Sequence, residues 1–202
     1  MRENIRFHEI KPEIRILGID DCSFTPRRSR TATLVGLVFR GGQWLDGAMK
    51  TTVAVDGLDA TEKIIKMVKS SPHYDQLRII MLNGITFAGF NIVDIKQLFE
   101  ATGLPVIALT REEPNMSAIE TALRRFSDCE RRLRTIQEAG EAIKLTLSKG
   151  YVYTQLAGVS IDDAKRILEI SCTNSIIPEP LRVAHIVASG LARSMMRKRK
   201  KV

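Results

Sequence analysis

Short apolar runs separated by polar turns dominate the first quarter of the chain. The run at residues 14–20 (IRILGID) ends in acidic residues, which predicts a buried strand whose C-terminal end carries carboxylates. Two stretches rich in Thr and Val, residues 30–40 and 43–55, are separated by a Gly-Gly pair and predict a β-hairpin. The chain therefore begins with three predicted strands in a meander.

Helical and strand-like patterns then alternate. Two pairs of polar residues have capping-box spacing and predict where helices begin: Asp59 with Glu62, and Ser117 with Glu120. Between these helices the pattern predicts, in order, a buried strand at 77–82, a helix at 91–102 and a buried strand at 105–109. The order β-β-β-α-β-α-β-α, with right-handed crossovers, predicts a mixed α/β sheet of the ribonuclease H-like kind, with helices on both faces.

The last third of the chain adds further elements to this order. The pattern predicts a small hairpin of residues 142–147 and 151–156, then a helix from Ser160 to about Cys172, and a final helix from Leu181. We expect a single domain over residues 1–192, followed by a basic tail over 193–202.

Composition narrows the class of protein. A chain of 202 residues, 44% hydrophobic and 27% charged, suits one domain with a substantial core. It has no apolar run long enough to span a membrane, and its first residues lack the order of a signal peptide, so we expect a cytoplasmic protein with no membrane partner. The three cysteines are scattered and indicate neither a disulfide framework nor a zinc site.

The net charge of +8 is concentrated at the C-terminus. Six basic residues and no acidic residue lie in 193–201, so the rest of the chain carries only +2. One interpretation is a flexible arm that binds phosphates, and the other is a solvated helix end. The candidate phosphate contacts are Arg197, Lys198, Arg199, Lys200 and Lys201.

Polar residues follow the predicted strands at their carboxyl ends, where open α/β sheets bind ligands. Asp20 and Asp21 end the first strand and Asn83 ends the strand at 77–82. Asp59 or Glu62, at a helix start, is expected at the same edge. Clustered carboxylates favour a hard cation such as Mg²⁺ or Mn²⁺. Alternatively, these acids merely end a strand and cap a helix.

Two loops contain candidate contacts for nucleic acid. In the glycine-rich loop after Asn83, Phe87 and Phe90 either stack on bases or fill the core. After the first strand, the arginines hold phosphates near the acids or remain solvated. These arginines are Arg27, Arg28 and Arg30.

Several ordered motifs resemble the endonuclease V superfamily, and an archaeal branch of it in particular. They are GIDD at 18–21, VDGLDATEKI at 55–64, NGITFAGFNIVD at 83–94 and PEPLRVAH at 178–185. The resemblance implies a ribonuclease H-like fold and a magnesium-dependent endonuclease for DNA repair. Its substrate would be DNA with deaminated bases, uracil or hypoxanthine, and DNA is favoured over RNA as the partner.

The resemblance also implies roles for single residues. Carried over by position, Asp20 is the central metal-binding carboxylate, Glu62 is the helix-start acid, and His185 positions the metal or water. Asp59 is an alternative to Glu62, because the spacing from Gly57 differs from that of the family. A lone histidine on an amphipathic helix is more often a hydrogen-bonded structural residue than a catalyst, and the pattern alone does not decide between the two for His185.

Two departures from the family leave an alternative open. Asn83 stands where the family has its second essential Asp, which lowers the expected metal affinity unless Asp21 or Asp94 compensates. Residues 53–57 stand where the family has an aromatic wedge, and they contain no aromatic residue. The alternative is therefore a non-catalytic nucleic-acid-binding protein with a degenerate nuclease site.

Overall fold

The computed structural model describes residues 3–25 and 28–199, and the side chains of the last seven of these are outside the description. The strands of the described part are β1 (Arg15–Asp21), β2 (Thr31–Arg40), β3 (Trp44–Ala54), β4 (Ile79–Asn83), β5 (Thr86–Phe87), β6 (Asn91–Ile92), β7 (Val106–Thr110), β8 (Ile143–Leu147) and β9 (Gly150–Ala157). Its α-helices are α1 (Ala60–Lys69), α2 (Ile95–Thr102), α3 (Met116–Leu123), α4 (Cys129–Glu138), α5 (Ile161–Ser171) and α6 (Glu179–Arg199).

One large sheet has the strand order β3-β2-β1-β4-β7-β9-β8. Strands β1, β4 and β7 are parallel to one another, and the hairpins β2–β3 and β8–β9 add antiparallel strands at the two edges. Helices α1, α2 and α4 pack on one face, and α5 and α6 pack on the other. The predicted ribonuclease H-like mixed sheet is confirmed.

The alternation of β1 distributes its side chains between two hydrophobic cores. Leu17 and Ile19 pack with α1 and α2, whereas Ile16 packs with α5 on the opposite face. Gly18 lies against the first turn of α6, where a Cβ atom would come within 2.4 Å of the carbonyl carbon of Pro180. The absence of a side chain at Gly18 therefore lets α6 lie directly on β1.

Both predicted capping boxes are wrong, although the helices start close to the expected positions. Helix α1 begins at Ala60, but Asp59 makes no side-chain cap; its Oδ1 accepts hydrogen bonds from Ala54 N (3.1 Å) and Asn91 Nδ2 (2.7 Å) instead. Helix α3 is capped by Asn115, whose Oδ1 accepts from Ala118 N at 3.0 Å. At α1 the first helical amide, Ala60 N, donates to Asn91 Oδ1 at 3.0 Å instead of to a neighbouring cap.

The segment after β4 differs from its prediction. The expected helix from residue 91 begins at Ile95, because the ribbon of β5 and β6 occupies residues 86–92. The predicted small hairpin 142–156 exists and extends the main sheet by pairing β9 with β7. Helix α6 starts at Glu179 and continues past residue 193, the expected start of the basic tail. Among the described residues no helix combines the length and the apolar character needed to cross a membrane.

Candidate active site

Asp20, Asn83 and His185 meet at the carboxyl edge of the sheet. The register pairs Ile19 of β1 with Leu82 of β4, which places the two following residues side by side. Asn83 Nδ2 donates a hydrogen bond to Asp20 Oδ1 at 3.1 Å, and His185 Nδ1 lies 2.8 Å from Asp20 Oδ2. We call Asp20, Asp21, Asn83 and His185 the Asp20 cluster.

The carboxylate of Asp20 is buried while its partners reach solvent. Asp20 is 3% exposed, whereas 65% of the His185 side chain is exposed and Asn83 lies at the surface. Asp20 Oδ1 also accepts from the amide of Asp21 at 2.9 Å. Buried carboxylates require such donors, and here they fix the orientation of both the carboxylate and the imidazole.

Asp21 connects this cluster to the loop after β4. Its Oδ2 accepts a hydrogen bond from Ala88 N at 2.6 Å, and Ala88 has a φ of 47°, which is unusual for a residue with a side chain. Burial raises the pKa of the Asp21 carboxyl; the hydrogen bond from Ala88 opposes this effect, and the charge of Asp20 reinforces it. A cation near this carboxylate pair would reduce the cost of holding both negative charges.

The oxygen atoms of the cluster are suitable ligands for a hard divalent cation such as Mg²⁺, which would take its remaining ligands from water and a bound phosphate. Among residues 3–25 and 28–199, no group of three or more His, Cys, Asp or Glu side chains has the spacing of a complete metal site. Magnesium, however, usually takes only one or two carboxylates from the protein and keeps water and substrate phosphate as its other ligands. Asp20 and Asp21 supply carboxylate oxygens and Asn83 supplies an amide oxygen, so the residues fit such an ion.

The other predicted acids lie outside the cluster. Glu62 is exposed on α1, Asp59 is bonded to Ala54 and Asn91, and Asp94 caps α2 by accepting from Gln97 N at 2.9 Å. In the described part of the chain none of the three acids hydrogen-bonds to Asp20. Asp59 and Asp94 thus have hydrogen-bond partners outside the cluster, and the metal-binding and catalytic roles of all three acids stay predictions.

Of the residues predicted to contact nucleic acid, some are buried, some are exposed and some lie outside the described part of the chain. Phe87 is 1% exposed and fills the core, so its predicted stacking on bases is wrong. Phe90 is half-buried near the surface, and Arg28 and Arg30 are exposed before β2. Outside the description lie Arg27, Lys200, Lys201 and the side chains of Arg197, Lys198 and Arg199.

Arg132 of α4, which no sequence motif indicates, is buried and only 4% exposed. Its guanidinium donates to the carbonyls of Asp56 (2.8 Å), Gly57 (3.1 Å) and Phe90, and it forms a bidentate ion pair with Asp128. The hydrogen bond from Arg132 also lowers the pKa of Asp128. The i,i+4 spacing of the ion pair is visible in the sequence, but nothing there identifies the carbonyl partners.

A second feature that the sequence pattern does not predict is a cleft of about 1050 Å³ that opens beside the end of β4. Gly84 and Thr110 line the cleft where it approaches the Asp20 cluster. The charged residues that line the cleft are Arg111, Glu112, Glu113, Glu120 and Glu141. The cleft is therefore acidic in net charge.

Comparison with known proteins identifies close relatives over nearly the whole chain. The family model described as Endonuclease dU matches residues 12–192. A UPF0215 protein of Methanothermobacter thermautotrophicus is 58% identical over 190 residues, which cover 94% of this chain and 93% of the relative.

Two solved structures share the fold. A protein from Archaeoglobus fulgidus superposes with a TM-score of 0.80 at 38% identity, over 88% of this chain and 98% of the other. The endonuclease V of Ciona intestinalis, in complex with a DNA containing an inosine followed by a ribo-adenosine, gives a TM-score of 0.57 at 13% identity. The second match covers 92% of this chain and 86% of that protein, and at this identity it shows the fold alone.

Proposed function

Because this chain belongs to the Endonuclease dU family, we propose that it is a metal-dependent endonuclease that cuts DNA containing deaminated bases, uracil or hypoxanthine, in DNA repair. The observation that carries the proposal is the hydrogen-bonded group of Asp20, Asn83 and His185 at the carboxyl edge of the parallel strands. The resemblance to endonuclease V assigns Asp20 and His185 to metal and water. The site lies where open α/β sheets bind their ligands.

Asp20 and Asn83 would hold Mg²⁺ or Mn²⁺, with Asp21 as the nearest additional carboxylate. Bound there, the cation would stabilise the negative charge that develops on the phosphate and on the leaving oxygen. The buried position of Asp20 supports this assignment, because a desolvated carboxylate interacts more strongly with a cation than an exposed one does. Glu62 remains a candidate only if α1 or the substrate brings it closer.

We assign the role of proton acceptor to His185. With Nδ1 hydrogen-bonded to Asp20, the imidazole presents Nε2 as the free nitrogen on a side chain that reaches solvent. As the water oxygen bonds to phosphorus and the bond from phosphorus to the leaving sugar oxygen breaks, Nε2 takes the water proton. The leaving oxygen is protonated by solvent. Asp20 holds the ring in place through the hydrogen bond to Nδ1.

The experiment is nicking of labelled duplexes that contain one uracil or one hypoxanthine. Wild type with Mg²⁺ or Mn²⁺ should nick, and chelator should abolish nicking. Asp20→Asn and His185→Ala should each lower the rate about 10²- to 10⁴-fold, as expected for loss of general acid–base or charge-stabilising groups. Asp162→Asn, at an exposed acid on α5, is the matched control and should retain wild-type rates. Nicking that survives Asp20→Asn undiminished would contradict the proposal.

The alternative, a non-catalytic nucleic-acid-binding protein, is favoured by one observation. Asn83 donates an amide hydrogen to Asp20 where a second carboxylate is expected, and this lowers the charge available to a cation. This alternative predicts salt-dependent binding by wild type and by Asp20→Ala alike, with no nicking by either protein. Metal-dependent nicking by wild type would eliminate it.

A further inference from the structure

On one flank of the Asp20 cluster, an exposed arginine lies over two aromatic rings. The guanidinium carbon of Arg125 is 5.3 Å from the ring centre of Phe90 and 4.8 Å from that of Phe126. The two rings contact each other edge to face at 5.9 Å. Because 59% of the Arg125 side chain is exposed, a ligand can reach this arginine directly from solvent.

A short series of hydrogen bonds connects these rings to the cluster. Asp21 accepts from Ala88 N, and Ala88 O accepts from Asp56 N at 2.8 Å. The side chain of Asp56 then accepts from Phe90 N at 2.9 Å. Arg125 therefore lies beside the loop that contacts the candidate metal-binding carboxylates.

Two features hold this loop in place before any ligand binds. Arg132 donates to the carbonyls of Asp56 and Phe90 from the buried side. Gly89 has a φ of 88°, and a Cβ atom there would lie 2.2 Å from Asp56 Oδ1. The position of the Phe90 ring under Arg125 is thus fixed by the folded chain, which lowers the cost of ordering a contact surface on binding.

The guanidinium has capacity for an anion. Its ion pair with Asp56 spans 3.8 Å, which is long for a hydrogen-bonded pair, and Asp56 Oδ1 is already bonded to Phe90 N. A guanidinium that stacks on aromatic faces keeps its N–H edge free for the two oxygens of a phosphate. Residues 124–134 contain five arginines against one aspartate and one glutamate, so the local charge is positive.

The other flank of the cluster has the opposite charge. The cleft beside Gly84 carries four glutamates and one arginine, and it would repel a phosphate backbone. Of these two flanks, the one with Phe90 and Arg125 is therefore electrostatically suited to the backbone of a nucleic acid.

We propose that Arg125, positioned by Phe90 and Phe126, binds a backbone phosphate of a nucleic acid that lies on the Asp20 cluster. This inference rests on the proposed function, because it takes nucleic acid as the ligand. Arg125 is a substrate-binding residue here and takes no part in bond cleavage.

The test is the salt dependence of binding to a uracil-containing duplex, measured in chelator so that no cleavage occurs. Each phosphate contact contributes about 0.9 to the slope of log affinity against log salt. Arg125→Ala should lower the slope by about that amount, so that its affinity deficit shrinks about 3.5-fold between roughly 50 and 200 mM salt. Arg125→Lys keeps the charge and should retain the slope, although it binds more weakly because the planar fork is lost.

The matched control is Arg124→Ala, which removes an exposed arginine one position earlier. Its slope should stay at the wild-type value, and thermal unfolding should show that all three variants are folded at the assay temperature. An unchanged slope for Arg125→Ala, or an equal decrease for Arg124→Ala, would overturn the inference.

The outcomes also separate this inference from the proposed function. A slope decrease specific to Arg125→Ala, in a protein that never nicks, supports the phosphate contact and contradicts the enzyme. Nicking by wild type together with an unchanged slope for Arg125→Ala supports the enzyme and contradicts the phosphate contact.

Discussion

At the scale of single residues, Asn83 sets how much negative charge the Asp20 cluster holds. Asn83→Asp would place a second carboxylate where the amide now donates to Asp20 at 3.1 Å. In chelator we expect a loss of about 1–2 kcal/mol in the free energy of unfolding, since a hydrogen bond becomes a like-charge contact. Added Mn²⁺ should raise the melting temperature of this variant more than that of wild type.

Thermal unfolding with and without Mn²⁺ measures this effect, and Asn115→Asp is its control. Asn115 caps α3, where aspartate caps equally well, so that exchange should change neither the stability nor the response to metal. If Asn83→Asp responds to Mn²⁺ no more than wild type does, Asn83 does not face a cation and the proposed metal site is wrong.

A second residue-scale prediction concerns pH and the start of α6. Burial alone would raise the pKa of Glu179, but hydrogen bonds from Arg182, at 2.9 and 2.6 Å, and from Asn174 hold it below the ordinary value of 4.5. A lowered folded-state pKa contributes stability above pH 4.5 that is lost as the pH falls through the folded-state value.

Glu179→Gln should therefore unfold more easily than wild type at pH 7, by about 1–2 kcal/mol. The difference should shrink steadily as the pH falls below 4.5, because wild type then loses the same interaction. Denaturant unfolding at several pH values measures it. A difference that stays constant down to pH 3 would mean that the ion pair does not stabilise α6.

The sequence predicts the position of a site residue well where the strand order or a family motif determines that position. Asp20 and Asn83 are adjacent because their strands are parallel neighbours, as expected from the pattern. Asp59 fails as a helix cap because a partner distant in sequence, Asn91, competes for its carboxylate. The carbonyl partners of Arg132 are equally distant in sequence, so no local pattern could reveal them.

At the scale of elements, the site depends on how closely α6 approaches β1. Gly18→Ala would bring a Cβ atom within 2.4 Å of the carbonyl carbon of Pro180, and a backbone atom cannot rotate away from such a contact. We expect a loss of about 1–3 kcal/mol, typical of overpacking. A shift of α6 should also separate His185 from Asp20 and lower any nicking rate.

Gly190→Ala is the control for this prediction, because it makes the same exchange on α6 where nothing lies within 4 Å of the added carbon. It should stabilise the protein by roughly 0.5–1 kcal/mol, since glycine is unfavourable inside a helix. Denaturant unfolding compares the two variants. Equal effects would show that α6 does not depend on contact at Gly18.

Strands and helices with a clear hydrophobic period could be predicted from the sequence. Very short strands, and strand pairings between segments distant in sequence, could not. The hairpin β2–β3 and strand β4 follow directly from the hydrophobic pattern. The ribbon β5–β6 has strands of two residues each, too short to produce a period. The pairing of β9 with β7 is decided by tertiary contact, so the sequence predicted that hairpin but not its place in the sheet.

At the scale of the whole molecule, charge is distributed unevenly. The net charge of +8 falls to +2 without the six basic residues of 193–201, so the contribution of the chain end to binding can be measured separately. We retain as proposals the single domain at 1–192 and a basic tail that binds phosphates. If both Arg125 and the tail bind phosphates of one nucleic acid, their contributions to salt dependence are independent and should add.

The final prediction tests this with a chain that stops after Met196 and loses five basic residues. In chelator its slope of log affinity against log salt should fall by up to about 4.5, if every lost charge had released a counterion. A full-length variant with glutamine at those five positions should show the same decrease in slope, because the charge and not the length of the tail is responsible. Adding Arg125→Ala should lower either slope by about 0.9 more. A truncated chain that binds with the wild-type slope would identify the tail as a solvated helix end, leaving the body, with Arg125, as the whole nucleic-acid surface.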